Sequence, residues 1–221
     1  MKSVNGPQRP LVDGPNAIAA PVLLFVEGAD EAYFVEKMCE HWFKERADQF
    51  DIEDARGGGN LPRNFAALTV RPLGPLKVVG VITDSEEDAQ ATQQRWRDLV
   101  AEIQPRIHRP CKKLQLPSEE LQGAFESLVL QSLVGDSVVD CAKAFRDCVT
   151  PQIGVRTSAQ KDKIAVQAWL SALLGSAYAN VFRAQKDYPA QQLLNYDHEA
   201  FAPIKTFLEE LLAEVDVVPE V

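Results

Sequence analysis

Pro21-Val22-Leu23-Leu24-Phe25-Val26-Glu27-Gly28-Ala29-Asp30-Glu31 is the stretch that decides how this chain folds. Its uncharged first half has the length and β-rich content of a strand buried on both faces, and it stops at acids set around a glycine. A second stretch repeats the pattern: Val78-Val79-Gly80-Val81-Ile82-Thr83 stops at Asp84-Ser85-Glu86-Glu87-Asp88. A helical stripe follows each, with Ala32, Phe34, Val35, Met38, Trp42 and Phe43 after the first and Trp96, Leu99, Val100 and Ile103 after the second. Strands alternating with helices predict an α/β fold, a parallel sheet of about four strands joined by right-handed crossovers. In such sheets ligand groups sit where strands end and helices begin. Two neighbouring strands ending in this way would gather carboxylates that repel one another unless protons or a divalent cation neutralise them. Hard oxygen donors suit Mg²⁺ or Mn²⁺.

Outward from these strands, residues 1 to about 20 carry Gly6, Pro7, Pro10, Gly14 and Pro15 with little periodicity and read as a flexible leader. Asp51 to Arg56 reads as a strand that runs into Gly57-Gly58-Gly59-Asn60, a turn or a place of close backbone approach. A brief helix is expected over 62–69, a longer one over 86–103, and a further strand within 106–116. From Ser118 the texture becomes helical. A helix is predicted to open there, with Ser118 as N-cap, Glu119 and Glu120 in its first turn, and Leu121, Phe125, Leu128, Val129 and Leu133 as its apolar stripe. Further helices are expected at about 137–149, 160–175 and 198–214. The expected organisation is a leader over 1–20, an α/β core over 21–117, and a helical C-terminal region over 118–221 packed on that core.

The 221 residues carry a net charge of −9, which argues against a generic nucleic-acid binder held by bulk electrostatics. An enzyme that meets phosphates through metal ions and a local basic strip is compatible with it. The densest basic segment is Arg106, His108, Arg109, Lys112 and Lys113, to which Arg63 and Arg71 can add. It reads either as a strip for a phosphate backbone or as an edge strand guarded by charge. Cys39, Cys111, Cys141 and Cys148 show no CxxC pair and no zinc spacing, so buried free thiols in a reducing cytosol are expected. His41, His108 and His198 have no triad partners, and Trp96, Trp169 and Phe182 sit at core spacing. The loop from Gly57 to Asn60 lacks the Lys-Ser/Thr of a P-loop. No signal-peptide pattern opens the sequence and no apolar stretch approaches the roughly 20 residues that span a bilayer, so a cytoplasmic protein is expected.

The acids admit two readings. Asp30 and Glu31 suit the N-terminus of the helix they begin, and Asp84 suits an N-cap with Glu87 and Asp88 in the following turn. Glu27 fits that reading poorly, because it stands between the strand and the glycine.

The run Val26-Glu27-Gly28-x-Asp30-Glu31, the loop Gly57-Gly58-Gly59-Asn60-Leu61 and the run Val81-Ile82-Thr83-Asp84-Ser85-Glu86 together resemble the Toprim domain. That domain occurs in topoisomerases, bacterial primases, small ribonucleases and the overcoming-lysogenization-defect nucleases. The chain is most similar to short stand-alone bacterial Toprim-like proteins of unassigned function. The similarity continues through Gly123-Ala124-Phe125-Glu126-Ser127-Leu128, Cys141-Ala142-Lys143-Ala144-Phe145 and Lys161-Asp162-Lys163-Ile164-Ala165, so that it spans roughly residues 21–215. The resemblance implies a Toprim-like sheet and a Mg²⁺- or Mn²⁺-dependent phosphodiesterase acting on DNA or RNA. It implies Glu27 as acid–base group and metal ligand, with Glu31, Asp84, Glu86 and Glu126 as further ligands and Lys161, or Lys163 in its place, as the late cation. Glu86 departs from the usual pattern, which has Asp at that position. No tyrosine follows a topoisomerase pattern, which favours direct hydrolysis over strand transfer. The alternative is a non-catalytic metal- or partner-binding module of the same fold. The partners to look for are nucleic acid, along Arg106, Arg109, Lys112 and Lys113, a separate ATPase and a second copy of the chain, with no membrane among them.

Overall fold

A computed structural model describes residues 18–85, 87–155, 157–174 and 194–217. The predicted leader up to residue 17, Glu86 and Phe182 lie outside the described residues. Four strands, β1 (Val22–Val26), β2 (Phe50–Asp54), β3 (Val78–Asp84) and β4 (Cys111–Leu116), form one sheet in the order β2-β1-β3-β4. Strand β1 runs parallel to β2, from Val22↔Phe50 to Val26↔Asp54, and parallel to β3, from Val22↔Val78 to Phe25↔Val81. Beside β3, β4 keeps the same sense: the Val79 N–H donates to the Pro110 carbonyl and the Ser85 N–H to the Leu116 carbonyl, both indices rising together. The helices are α1 (Ala29–Phe43), α2 (Leu61–Ala66), α3 (Ala89–Ile107), α4 (Phe125–Ser132), α5 (Ser137–Ile153), α6 (Ser158–Leu174) and α7 (Ala202–Asp216). The chain therefore adopts the α/β fold expected from the alternation of apolar runs and helical stripes.

Among the described residues the chain forms two compact units. One holds everything up to Thr83, then Gln93–Leu114, then the chain from Pro203; the other holds Asp84–Thr92 and Gln115–Ala202. Helix α7 thus belongs with the sheet, although it follows the helical region in sequence.

In the first unit the central strands β1 and β3 read as unbroken apolar runs because both their faces are covered. The pleat sorts them by parity. Leu23 and Phe25 of β1 and Val79 and Val81 of β3 join one core with Leu61 and Phe65 of α2 and Trp96, Ile103 and Ile107 of α3. Phe65 is the hinge of this layer, edge-on to both Phe25 (6.2 Å between centroids) and Trp96 (6.0 Å). On the opposite face α7 comes so close that a Cβ on Gly80 would lie 2.6 Å from Leu211 Cδ1 and 2.8 Å from Leu24 Cδ1. Only glycine admits that packing. The edge strands carry the charge, Asp51, Glu53 and Asp54 on β2 and Lys112 and Lys113 on β4.

In the second unit Phe125 stacks on Phe201 with centroids 6.5 Å apart, and Trp169 is buried. Helix α5 opens on Asp136, whose carboxylate accepts the Val138 and Val139 N–H groups, and closes on Gly154 in the left-handed region. The helix expected to open at Ser118 begins instead at Phe125. Ser118 Oγ accepts the N–H groups of Glu120 and Leu121 and so ties a local turn, which leaves Leu121 58% exposed. Gly123, at φ +147°, then re-aims the chain, a conformation no helix can contain. The cysteines depart from expectation as well. All four are free, but only Cys39 is buried; Cys111 is half-buried, and Cys141 and Cys148 are exposed because α5 turns Val139, Ala142 and Thr150 inward.

Candidate functional site

Glu27 is the residue after β1, and it continues the row of Leu23 and Phe25. Thr83 continues the row of Val79 and Val81 on β3. The register Phe25↔Val81 therefore brings Thr83 opposite Glu27, and the Thr83 hydroxyl donates to Glu27 Oε1 at 2.7 Å. Around them the loop from Ala55 closes over the strand end. The Ala55 N–H donates to the Val26 carbonyl at 2.9 Å and the Gly57 N–H to the Glu27 carbonyl at 2.6 Å. Gly58 passes so near that a Cβ there would lie 2.5 Å from Glu27 Oε2. The Gly57–Asn60 loop is thus a place of close backbone approach, and what it approaches is the Glu27 carboxylate.

Glu31 has a different environment. Its Oε2 accepts the N–H of Glu27 at 2.9 Å and of Gly28 at 3.2 Å, holding the entry into α1. Its carboxylate serves the backbone, as the helix-complement reading required.

Strand order adds a topological argument. From β1 the chain first moves outward to β2, then crosses back to place β3 on the other flank of β1. The sheet thus switches direction between β1 and β3, and ligands of open parallel sheets bind outside the carboxyl ends of the strands at such a switch. Glu27 and Asp84 stand at those two ends.

In the second unit Asp84 Oδ1 accepts the Phe125 N–H, the first of α4, at 3.0 Å. Asp84 thus caps a helix distant in sequence rather than the helix that follows it. The next residue, Glu126, is buried, and Lys163 Nζ lies 3.8 Å from its Oε1. The charge of Lys161 acts on a different acid. The exposed Asp147 carboxyl is held below the usual range chiefly by a hydrogen bond from Arg146, with the charges of Arg146 and Lys161 adding. It is therefore Lys163, of the two candidate lysines, that the structure brings to Glu126. Beside them Ser127 Oγ donates to Asp162 Oδ2 at 2.6 Å, and Arg146 Nη1 lies 3.5 Å from Asp162 Oδ1. The sequence reading did not single out this trio, and only the crossing of α4, α5 and α6 assembles it.

The basic strip is largely occupied. Lys112 Nζ lies 3.0 Å from Glu214 and 3.7 Å from Glu210, both on α7. Arg109 donates to the carbonyls of Leu76 at 2.6 Å and His108 at 2.9 Å. Arg106 pairs with Glu102 at 3.6 Å on the outside of α3. Arg71 binds Glu53 through both terminal nitrogens, at 2.9 and 2.6 Å. Lys113 lines a groove with Trp96, Val100, Gln104 and Cys111, and that groove contains none of the predicted acids.

Glu27 fits a hard cation in kind, since it offers carboxylate oxygens and the absent Cβ of Gly58 keeps clear the space that its Oε2 occupies. Among the described residues no group of three or more His, Cys, Asp or Glu side chains is assembled as a metal cage. Mg²⁺ is ordinarily held by one or two carboxylates, with water and substrate phosphates completing the octahedron, so a full protein cage is not what its chemistry demands.

No curated protein and no solved structure matches the chain significantly. A protein-family model does match, over residues 21–213, which takes in every described strand and nearly all of α7. The chain belongs to that family, DUF3226, whose description is a protein of unknown function.

Proposed function

We propose that the protein is a Mg²⁺- or Mn²⁺-dependent phosphodiesterase that cleaves nucleic acid, with Glu27 at its chemical centre. The observation that carries this reading is the position of Glu27 and Asp84 at the carboxyl ends of the two strands that flank the switch point of the sheet. The resemblance of the surrounding motifs to the Toprim domain supports the same reading. Hydrolysis forms a P–O bond from water, breaks the P–O bond to the leaving alcohol, and moves one proton from the water to that alcohol. Glu27 is the group assigned to this proton movement and also a cation ligand, with Asp84 as the second ligand; Glu31, Glu86 and Glu126 complete the proposed acidic set. When bound, the cation supplies an activated water and charge stabilisation at the leaving oxygen. Lys161, or Lys163 in its place, is the cation assigned to offset charge on the phosphate, and of the two it is Lys163 that pairs with Glu126, at 3.8 Å. Among the described residues no helix is long and apolar enough to cross a membrane.

A second reading has specific support: a non-catalytic metal- or partner-binding module of the same fold that works with a separate ATPase or defence protein. The capping role of Glu31 and the internal pairing of Lys112 favour it. Cleavage of supercoiled plasmid, single-stranded DNA and structured RNA with Mg²⁺ or Mn²⁺ separates the two. The enzyme reading expects cutting by the wild type and none by Glu27→Gln or Asp84→Asn. Equal cutting by all three overturns it, as does an inert wild type.

A further inference from the structure

Glu27 needs more than a strand end to hold it. A glutamate side chain has three rotatable bonds, and one at a sheet edge samples several rotamers unless its neighbours select one. Two neighbours do so here. The Thr83 hydroxyl donates to Oε1 at 2.7 Å, and the backbone at Gly58 leaves Oε2 a space that any Cβ would invade, at 2.5 Å. Thr83 is 2% exposed, so its hydroxyl is fixed inside the fold and cannot exchange this bond freely for water. Neither residue is acidic, and neither would bind a cation through its own charge.

We infer that Thr83 and Gly58 are positioning residues for the Glu27 carboxylate, Thr83 by anchoring one oxygen and Gly58 by admitting the other. This rests on the proposed role of Glu27 as a cation ligand. Partners that orient a ligating group in this way typically contribute tenfold to a hundredfold in metal affinity. The two contributions differ in kind. That of Thr83 is a directional bond, which serine can restore and isosteric valine cannot. That of Gly58 is steric, so shortening the acid relieves the clash that a methyl group at 58 creates.

The test is Mn²⁺ binding to the purified full chain, followed by isothermal titration and by the paramagnetic resonance of free Mn²⁺, for wild type, Thr83→Ser, Thr83→Val, Gly58→Ala, Glu27→Asp and Glu27→Asp combined with Gly58→Ala. Thermal unfolding of each protein verifies that it is folded. Thr83→Ser is expected to bind within about threefold of wild type, and Thr83→Val and Gly58→Ala about tenfold or more weakly. In the Glu27→Asp background Gly58→Ala is expected to weaken binding by about threefold or less, since the shorter acid no longer reaches position 58. If the wild type takes up Mn²⁺ and both Thr83→Val and Gly58→Ala bind as tightly, the inference is overturned and the metal reading stands. If Gly58→Ala costs as much in the Glu27→Asp background as beside the native glutamate, the steric half is overturned. A wild type that takes up no Mn²⁺ removes the metal reading and this inference with it.

Discussion

The acidic end of β1 and the basic strand β4 are two charged neighbourhoods of the first unit, and folding meets them with different groups. On β4 and in the turn before it the charges are matched by charge or by carbonyls: Lys112 between Glu210 and Glu214, Arg109 on the Leu76 carbonyl. At the end of β1, Glu27 is met by a neutral hydroxyl and by glycine backbone. A lysine held by two glutamates one helical turn apart tethers α7 to the sheet edge, and a phosphate would have to compete with both acids. A carboxylate whose oxygen accepts from a buried hydroxyl is fixed in direction. Sequence-wise both regions looked like runs of charge. What distinguishes them is the partner that folding supplies.

The comparison can be broken most easily at Glu27. Glu27→Gln should lower any cation-dependent cleavage by about a thousandfold, the scale of a lost acid–base group, with little change in the unfolding midpoint; a rate within a few-fold of wild type would mean the chemistry lies elsewhere. On β4 and in the turn before it the effects should fall on stability. Arg109→Ala should lower the unfolding free energy by about 1.5 kcal/mol, because its guanidinium bonds the carbonyl preceding the β3 entry, and chemical denaturation would read it. Unchanged stability accompanied by weaker DNA binding would restore the phosphate-strip reading.

Cys111, on the same strand, probes how dry its inner side is. Burial pushes its thiol up to about 12 from 9.0. At neutral pH iodoacetamide should therefore modify the exposed Cys141 and Cys148 well before Cys111, as peptide mass spectrometry would show. The same shift has a stability sign. The unfolded chain releases the Cys111 proton near pH 9 while the folded chain keeps it, so stability falls as pH climbs from about 9 towards 12, and Cys111→Ala should flatten that fall. The smallest effect is expected for Lys112→Ala, under about 1 kcal/mol and reduced further by salt, because the pair with Glu214 is partly exposed.

The strands were legible because a parallel sheet buried on both faces leaves unbroken apolar runs, and Val22–Val26 and Val78–Thr83 are such runs. Glu27 was legible for a related reason: it breaks the pattern at a position no helix cap explains. Thr83 was not, because its importance depends on the register Phe25↔Val81, which no local pattern encodes. The false start at Ser118 has an equally physical origin. Serine followed by two glutamates and an apolar period fits an N-cap, but the same serine oxygen closes a turn just as well, and Gly123 decides between them. Ser127, Asp162 and Arg146 lie on three helices and share no spacing, so only tertiary packing could bring them together.

The most direct test of the central claim, that the chemistry resides at the carboxyl end of β1, is a crystal of the full chain grown with Mn²⁺ and measured for anomalous scattering. The account predicts a peak within roughly 2–2.5 Å of a Glu27 carboxylate oxygen, absent from crystals of Glu27→Gln. A Mn²⁺ peak that excludes Glu27 and persists in that variant would contradict it.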